Sequence, residues 1–301
     1  MFSLSKLHQS LFLTLLGAGL TACGGGSGST ETATFNLAIT DGPVEMADAV
    51  RVTFTEVELK PAGGPAVSIT LDEPLTLNLL DYQGSLSEPL VQNATLPAGE
   101  YNWVRLGVAD NAEIEISGAI YPLEIPSSAQ SGLKLNRGFT LAAGGVSSFT
   151  IDFDLRKSVH QEGTGDYKLR PTLRMVDNLE VGSISGTVAE SWITDVECNN
   201  GDNNDTGNAV YLFAGADAEV ADISGAATDP IATASVNWNS NASAYEFGFG
   251  FVAAGDYTLA FTCDAILDDP MVVDVLAFSI PVNASVSADA DTQVQIGVPV
   301  Q

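Results

Sequence analysis

From Thr34 onward the apolar residues of this chain recur at every second position, in short runs cut apart by glycine and proline. Thr34-Phe-Asn-Leu-Ala-Ile39, Val50-Arg-Val-Thr-Phe-Thr-Glu-Val-Glu-Leu59 and Phe149-Thr-Ile-Asp-Phe-Asp154 all alternate in this way. A period of two sends successive side chains to opposite faces of an extended backbone, so each run predicts a strand with one wet face. Pro97-Ala-Gly99 and Ala142-Ala-Gly-Gly145 lie between runs and predict turns. The pattern returns in Gly182-Ser-Ile-Ser-Gly-Thr-Val188, Ala209-Val-Tyr-Leu-Phe213 and Tyr257-Thr-Leu-Ala-Phe-Thr262. Beyond the N-terminus, a single helical turn around Ser127–Ser131 is the one place where a helix is expected. Many short strands at regular spacing predict an all-β chain with two β-sandwich domains in tandem, residues 32–180 and 181–301. The seam falls near Asp177–Val181, where one strand ends and a glycine-flanked one begins.

The first residues follow a different rule. Lys6 supplies a positive charge, Leu11–Leu20 form an apolar run too short to span a bilayer, and small residues lead to Cys23. This is the layout of a secretory signal peptide over residues 1–22. The ending Leu20-Thr21-Ala22-Cys23 resembles the lipobox of bacterial lipoproteins, which implies lipidation of Cys23 and cleavage just before it; the plainer alternative is an ordinary signal peptide with a chance cysteine. Two or more acyl chains, at about 0.8 kcal/mol per buried methylene, make such anchoring stable. Gly24 follows Cys23, and the resemblance then favours the outer membrane of a Gram-negative bacterium, on its periplasmic or its outer face. Residues 23–31 read as a flexible glycine- and serine-rich tether carrying the lipid.

Charge is unevenly placed. Without residues 1–22 the net charge is −28, and residues 181–301 hold 17 acids and no lysine or arginine, Arg174 being the last base. Such a field argues against nucleic acid and anionic membrane surfaces as partners of the C-terminal half. It suits a solvated surface, a cationic partner or divalent cations. Seven of the ten bases after Cys23 fall between Lys134 and Arg174, namely Lys134, Arg137, Arg156, Lys157, Lys168, Arg170 and Arg174. If their strands are adjacent they form one positive patch that could meet the acidic second domain, an anionic glycan or lipopolysaccharide phosphate, docking of the two domains being the simplest.

Apart from Cys23 the chain has two cysteines, Cys198 and Cys263. An even pair in an exported domain reads as a disulfide, and the alternative is two buried free thiols. No CxxC or Cys/His spacing suggests zinc. Catalytic signatures are absent as well: there is no GxSxG elbow, Walker loop, dinucleotide fingerprint or HExxH. His160, the one histidine beyond the signal peptide, reads as a surface-loop residue beside Arg156-Lys157-Ser158.

Carboxylates are the remaining chemistry. Asp152 and Asp154 are two apart on a strand and face the same way, about 7 Å apart along it. That spacing is compatible with a glycosidase pair, with a ligand or cation site, or with a wet face on which Arg156 and Lys157 pair with the acids. A second candidate is the loop Asp195–Asn208, where Asn200, Asp202, Asn204 and Asp205 offer oxygen ligands suited to calcium. Asp205 stands where an EF-hand needs glycine, and a plain solvated turn uses the same residues. Calcium is the only cofactor the sequence suggests. Asn93, Asn204, Asn241 and Asn283 begin Asn-x-Ser/Thr triplets and carry no weight in a bacterial lipoprotein.

Residues 34–177 resemble family 4382 of the bacterial domains of unknown function, found largely in lipoproteins and other exported proteins. The pieces that carry the resemblance run in order through the stretch: Ile39-Thr-Asp-Gly-Pro43, Val50–Val57, Leu79-Leu-Asp81, Leu96-Pro-Ala-Gly-Glu-Tyr101 with Arg105-Leu106, Ser131–Leu135, Ile151–Val159 and Tyr167-Lys-Leu-Arg-Pro171. Residues 182–300 resemble transthyretin-like modules, also seen as carboxypeptidase regulatory-like domains, through Gly182-x-x-x-Gly186-Thr-Val188 and Phe251–Thr258. Those modules are usually structural or adhesive. The sequence as a whole predicts a non-catalytic envelope lipoprotein presenting two β-domains to a protein or glycan partner. The alternatives are a carbohydrate-binding or hydrolase-associated lipoprotein using Asp152, Asp154 or the aromatics Tyr101, Trp103 and Trp238, and a purely structural spacer.

Overall fold

A computed structural model of the chain describes residues 31–42, 47–126, 132–194, 198 and 207–297. Lipidation at Cys23, the helical turn around residues 127–131 and the calcium loop with Asn200, Asp202, Asn204 and Asp205 lie outside these described residues. The fold is all-β. The first half contributes β1 (Thr32–Gly42), β2 (Ala49–Pro61), β3 (Val67–Asn78), β4 (Glu88–Pro97), β5 (Gly99–Val108), β6 (Glu113–Ile116), β7 (Ala119–Glu124), β8 (Leu133–Leu135), β9 (Phe139–Leu141), β10 (Val146–Asp154), β11 (Val159–Gln161), β12 (Tyr167–Leu169) and β13 (Leu173–Asp177). A four-residue helix, α1 (Leu155–Ser158), joins β10 to β11. The second half contributes β14 (Val181–Val188), the short helix α2 (Glu190–Ile193), β15 (Ala209–Ala214), β16 (Ala232–Ser235), β17 (Asn237–Asn239), β18 (Ala244–Ala253), β19 (Gly255–Thr262), β20 (Val282–Val286) and β21 (Asp291–Ile296). No helix among the described residues is long and apolar enough to cross a membrane.

Each half is a pair of sheets. In the first, the order β13-β10-β1-β4 faces a larger sheet ordered β11-β12-β7-β6-β2-β5-β8, with β3 added beside β2 and β9 beside β5. In the second, β17-β18-β14-β21 faces β16-β15-β19-β20. Alternation decides which side of most strands is buried, but β15 and β19, central in their sheet, are buried on both faces where one wet face was expected. In β1 the side chains of Ala33, Phe35, Leu37 and Ile39 are buried while Thr34 and Asn36 stay half-exposed. β1 and β10 pair in parallel with Leu37 opposite Phe149 and Ile39 opposite Ile151, so their apolar faces line one side of the sheet. Parallel pairing needs a long crossover in place of a hairpin, which is why strands so distant in sequence are neighbours here. Across the sandwich Phe35, Phe139, Phe149 and Tyr101 pack ring against ring at 5.0–6.0 Å.

The two halves share one corner device. Pro97-Ala-Gly-Glu-Tyr101 leads from β4 into β5, and Ala253-Ala-Gly-Asp-Tyr257 leads from β18 into β19. In each, the tyrosine hydroxyl reaches back four residues, Tyr101 to the Pro97 carbonyl at 2.8 Å and Tyr257 to the Ala253 carbonyl at 2.7 Å. Gly99 turns at φ +134°, a conformation a side chain would strain. Immunoglobulin-type sandwiches fix a corner with a tyrosine hydroxyl in a related manner.

Among the described residues no strand of one half pairs with a strand of the other, yet the two halves fall in one compact unit. Part of the contact comes from β18, where Glu246-Phe-Gly-Phe-Gly250 alternates. Phe247 and Phe249 enter the second core. On the outer face, Gly250 lies so near the first half that a methyl there would stand 2.1 Å from the Gly84 carbonyl oxygen.

Candidate functional site

The short helix α1 is where the sequence candidates meet the second half. Asp154 caps it by accepting from the Lys157 amide at 3.1 Å, and the Lys157 ammonium lies 3.3 Å from the same carboxylate. Lys157 also donates to the Pro230 carbonyl of the second half. Burial pushes the Asp154 carboxyl up, Lys157 pulls it down, and Asp152 pushes it up again. Asp152 is held by a different base, because Arg174 on the adjacent β13 donates from Nη2 at 2.6 Å and from Nε at 3.2 Å. Both acids are largely removed from solvent, with 12% and 13% of their side chains exposed, so they do not form a wet face.

Arg156 does not reach these acids in the way the sequence expectation had it. It is 3% exposed and projects into the second half. Its Nε donates to Thr233 Oγ1 at 3.1 Å, its Nη1 donates to the Ala265 carbonyl at 2.9 Å, and its guanidinium lies 5.4 Å from the Tyr211 ring centroid. A guanidinium needs several acceptors at once to tolerate burial, and its planar fork finds them here.

Between the halves, beside this contact, lies a cleft of about 360 Å³. Asp152 and Arg174 line its first-half wall together with Gln83, and Thr233, Asn237 and Glu246 line the opposite one. Glu246 accepts from the Asn239 amide at 2.7 Å. The lining is rich in donors and acceptors, which suits a small polar ligand held by hydrogen bonds from both halves. Asp41, also on the wall, is 4% exposed and neither of its carboxylate oxygens has a hydrogen-bond partner among the described residues. Burial drives its pKa well above the usual carboxylate range and the neighbouring Asp152 and Asp154 add to this. The amides of Leu155 and Gly42 approach without completing a bond and offset only part of the rise.

A second carboxylate cluster escaped the sequence reading. Asp222, Asp268 and Asp274 each bring one carboxylate oxygen within 4.8 Å of the others. Tyr211 donates its hydroxyl to Asp268, the Ile223 amide donates to the same group, and the Asp274 amide donates to Asp222. Burial raises the Asp268 carboxyl to about 6 against the pull of Tyr211 and of Arg156. Oxygen ligands of this kind suit hard cations. Nothing in the spacing of three acids spread over 53 positions signals that they meet; only the density of aspartates from Asp264 to Asp274 hints at it.

The other candidates are dispersed. Cys198 and Cys263 form a disulfide. Lys134 stands on β8 and Lys168 on β12, with four strands between them, so the seven bases do not make one patch. Lys134 and Arg105 flank the Trp103 ring at 4.8 and 4.7 Å, while Lys168 and Arg170 pair with Glu162. Among the described residues, Arg156 and Lys157 are the members of the group that donate across to the second half, and they do so to Thr233 and to main-chain carbonyls and not to its acids. His160 lies on β11, half-buried, and not on a surface loop. Of the three aromatics, Tyr101 is buried, whereas Trp238 remains 46% exposed and packs tilted against Tyr245 at 4.9 Å.

Comparison with known proteins bears on the first half. Residues 32–171 match the model of a domain of unknown function, DUF4382. The match runs from β1 through β12 and stops short of β13. No curated protein matches the chain. Solved structures do. A leucine-rich repeat protein from Bacteroides thetaiotaomicron is 11% identical over 90% of this chain, with a TM-score of 0.22. This chain spans about a quarter of that protein's length, 26%. A putative adhesin from Bacteroides ovatus is 10% identical over 94% of this chain and 95% of its own, with a TM-score of 0.22. The minor pilin GBS52 of Streptococcus agalactiae is 10% identical over 89% of this chain and 98% of its own, with a TM-score of 0.19. At such TM-scores these likenesses carry no functional argument.

Proposed function

We propose that the chain is a non-catalytic lipoprotein of the bacterial cell envelope. In this reading it is anchored at the outer membrane through Cys23 and uses its two joined β-domains for ligand binding, adhesion or surface assembly. The second half serves as a transthyretin-like module of structural or adhesive kind. The observation that carries the non-catalytic reading is the state of the two candidate acids. Asp152 is clamped by Arg174, and Asp154 is spent on capping α1 and on Lys157. A carboxylate engine needs one acid free to hold a proton beside the substrate and the other free to attack or to activate water. The anchor is supported by the Leu20-Thr-Ala-Cys23 pattern.

A test of the anchor is to express the full chain in a Gram-negative host fed labelled palmitate. The parent chain should take up label and fractionate with the outer membrane, and Cys23→Ser should lose both. A soluble, unlabelled parent would sink the proposal. A second reading, glycan binding, draws on Trp238 of β17, which offers an exposed ring beside Tyr245 on the sheet face opposite Asn237 and Glu246. Glycan-array binding abolished by Trp238→Ala would favour it over the assembly role.

A further inference from the structure

The second half carries an apolar edge that the fold leaves uncovered. Thirteen large hydrophobic side chains are strongly exposed among the described residues, and seven of them fall within residues 266–280. Hydrophobic residues scattered singly over a surface are ordinary, whereas a concentration of them marks an interaction site. The segment is held from beneath. Leu276 and Phe278 pack against the small core of Tyr211, Phe213 and Ile223, and the Phe278 ring meets Tyr211 edge-on at 5.4 Å. The Asp274 amide donates to Asp222, and the Ser279 amide donates to the Phe261 carbonyl at 2.8 Å.

From Val273 to Phe278 burial alternates with the period of a strand. Val273 is 80% exposed, Val275 is fully exposed and Ala277 is exposed, while Asp274, Leu276 and Phe278 turn inward. The ladder that usually accompanies this period is missing. The amides of Val273 and Val275, which face one edge of the segment, donate to no group among the described residues, and the Ala277 amide on that edge reaches only Asp264 Oδ2 at 3.4 Å. The segment leads through Pro281 into β20, which is itself the last strand of its sheet. An ordered, extended backbone with unpaired amides and outward apolar residues is a template for one more strand.

We propose that residues 272–280 are a docking edge for an extended strand of a partner protein, with apolar residues facing Val273 and Val275 and lysine or arginine at its flanks. Charge selects this occupant. Asp264, which accepts from the Ala277 amide, and the exposed Asp269 border the edge, and no lysine or arginine follows Arg174. A second copy of the chain would set acid against acid, and an anionic membrane would be repelled. A basic-flanked strand gains main-chain hydrogen bonds from the edge, apolar contact from the valines and attraction from the aspartates. The inference goes beyond the lipoprotein reading and stands whether or not Cys23 is lipidated.

The test uses the full chain carrying Cys23→Ser and two fluorescent peptides with the same alternating Val-Thr core, one flanked by lysines and the other by glutamates. The lysine peptide should bind, and its affinity should fall about tenfold between low and high salt. The glutamate peptide should not bind. Val275→Pro, which removes an amide and an apolar contact at a fully exposed position, should abolish binding without lowering the melting temperature. If Val275→Pro does unfold the chain, Val273→Asn with Val275→Asn should weaken binding about tenfold while keeping the fold. Equal binding of the two peptides, binding of neither, or indifference to these changes would overturn the proposal. Sedimentation that shows a dimer lost in Val275→Pro would overturn it in favour of a second copy, and adsorption to phosphatidylcholine vesicles would overturn it in favour of lipid.

Discussion

Arg156 is the side chain through which one half of the molecule grips the other, and nothing in its local sequence distinguishes it from Lys157. Both follow Asp152 and Asp154, so a sequence reading pairs both with the acids. Lys157 does take Asp154, but the helical turn α1 points Arg156 away from the strand and into the second half. Removing the buried guanidinium strands the Thr233 hydroxyl and the Ala265 carbonyl that it satisfies. Arg156→Met should therefore lower stability by about 1–3 kcal/mol in urea unfolding, and Arg156→Lys should rescue little because an ammonium lacks the planar fork. Asp41 presents the opposite case, a buried carboxylate with no hydrogen-bond partner among the described residues, and it resists ionisation. Its pKa is higher in the folded than in the unfolded chain, so the folded state binds the proton more tightly. The penalty for ionising it is present in full above the folded pKa, shrinks as pH falls through that value, and is gone below about 3.8, its ordinary value. Asp41→Asn should accordingly stabilise the chain by about 1–3 kcal/mol at a pH above that folded value, and this advantage should vanish at low pH. Denaturant unfolding of parent and variant from pH 4 to 8 checks it, and a gap that widens on acidification would refute this account of Asp41.

At the scale of elements the sequence is most readable, because strands announce themselves by period. The runs beginning at Thr34, Val50, Phe149, Gly182, Ala209 and Tyr257 all lie within strands, and Pro97–Gly99 and Ala142–Gly145 connect strands. What period cannot supply is partnership. β1 beside β10 in parallel and β14 beside β21 in parallel are long-range choices made by two packed cores, and no local pattern encodes them. The same limit hid the site. Asp152 meets Arg174 only because β13 lies beside β10, and Asp222 meets Asp268 only through a loop crossing. The corners are different, since the repeated Ala-Gly-acid-Tyr string is local and its tyrosine bond spans four residues. Tyr101→Phe and Tyr257→Phe should each cost about 1 kcal/mol, additively because they lie in separate cores, as measured by denaturant midpoints. Gly250→Ala is the contact-surface counterpart. Its methyl would stand 2.1 Å from the Gly84 oxygen, so the halves must shift, at a cost of about 1–3 kcal/mol.

Across the whole molecule the question is whether two sandwiches with separate sheets behave as one. Their joint contains Arg156 and Lys157 reaching across, the Gly250–Gly84 approach, and a main-chain bond from the Ala254 amide to the Glu180 carbonyl at 2.9 Å. A joint of this kind couples the unfolding of one half to the other when the interface stabilises each by more than its own margin. The disulfide provides a probe, because Cys198 and Cys263 both belong to the second half. Closing a chain segment of that length stabilises by about 4 kcal/mol in the chain-entropy model, so reduction weakens the second half directly and leaves the first untouched in its contacts. Tryptophan fluorescence can follow each half separately in two single-tryptophan chains, Trp103 on β5 reporting on the first half once Trp192 and Trp238 are replaced by phenylalanine, and Trp238 on β17 reporting on the second once Trp103 and Trp192 are replaced. In the oxidised chain both reporters should change together in one thermal transition. Reduction should lower both midpoints by the same amount, since the first half cannot keep its buried face once its neighbour unfolds. In Arg156→Met the two signals should separate, the second half melting alone on reduction while Trp103 holds its native emission. If instead reduction of the parent moved only the Trp238 transition, the halves would be independent domains, and the cleft between them would have no fixed geometry with which to select a ligand.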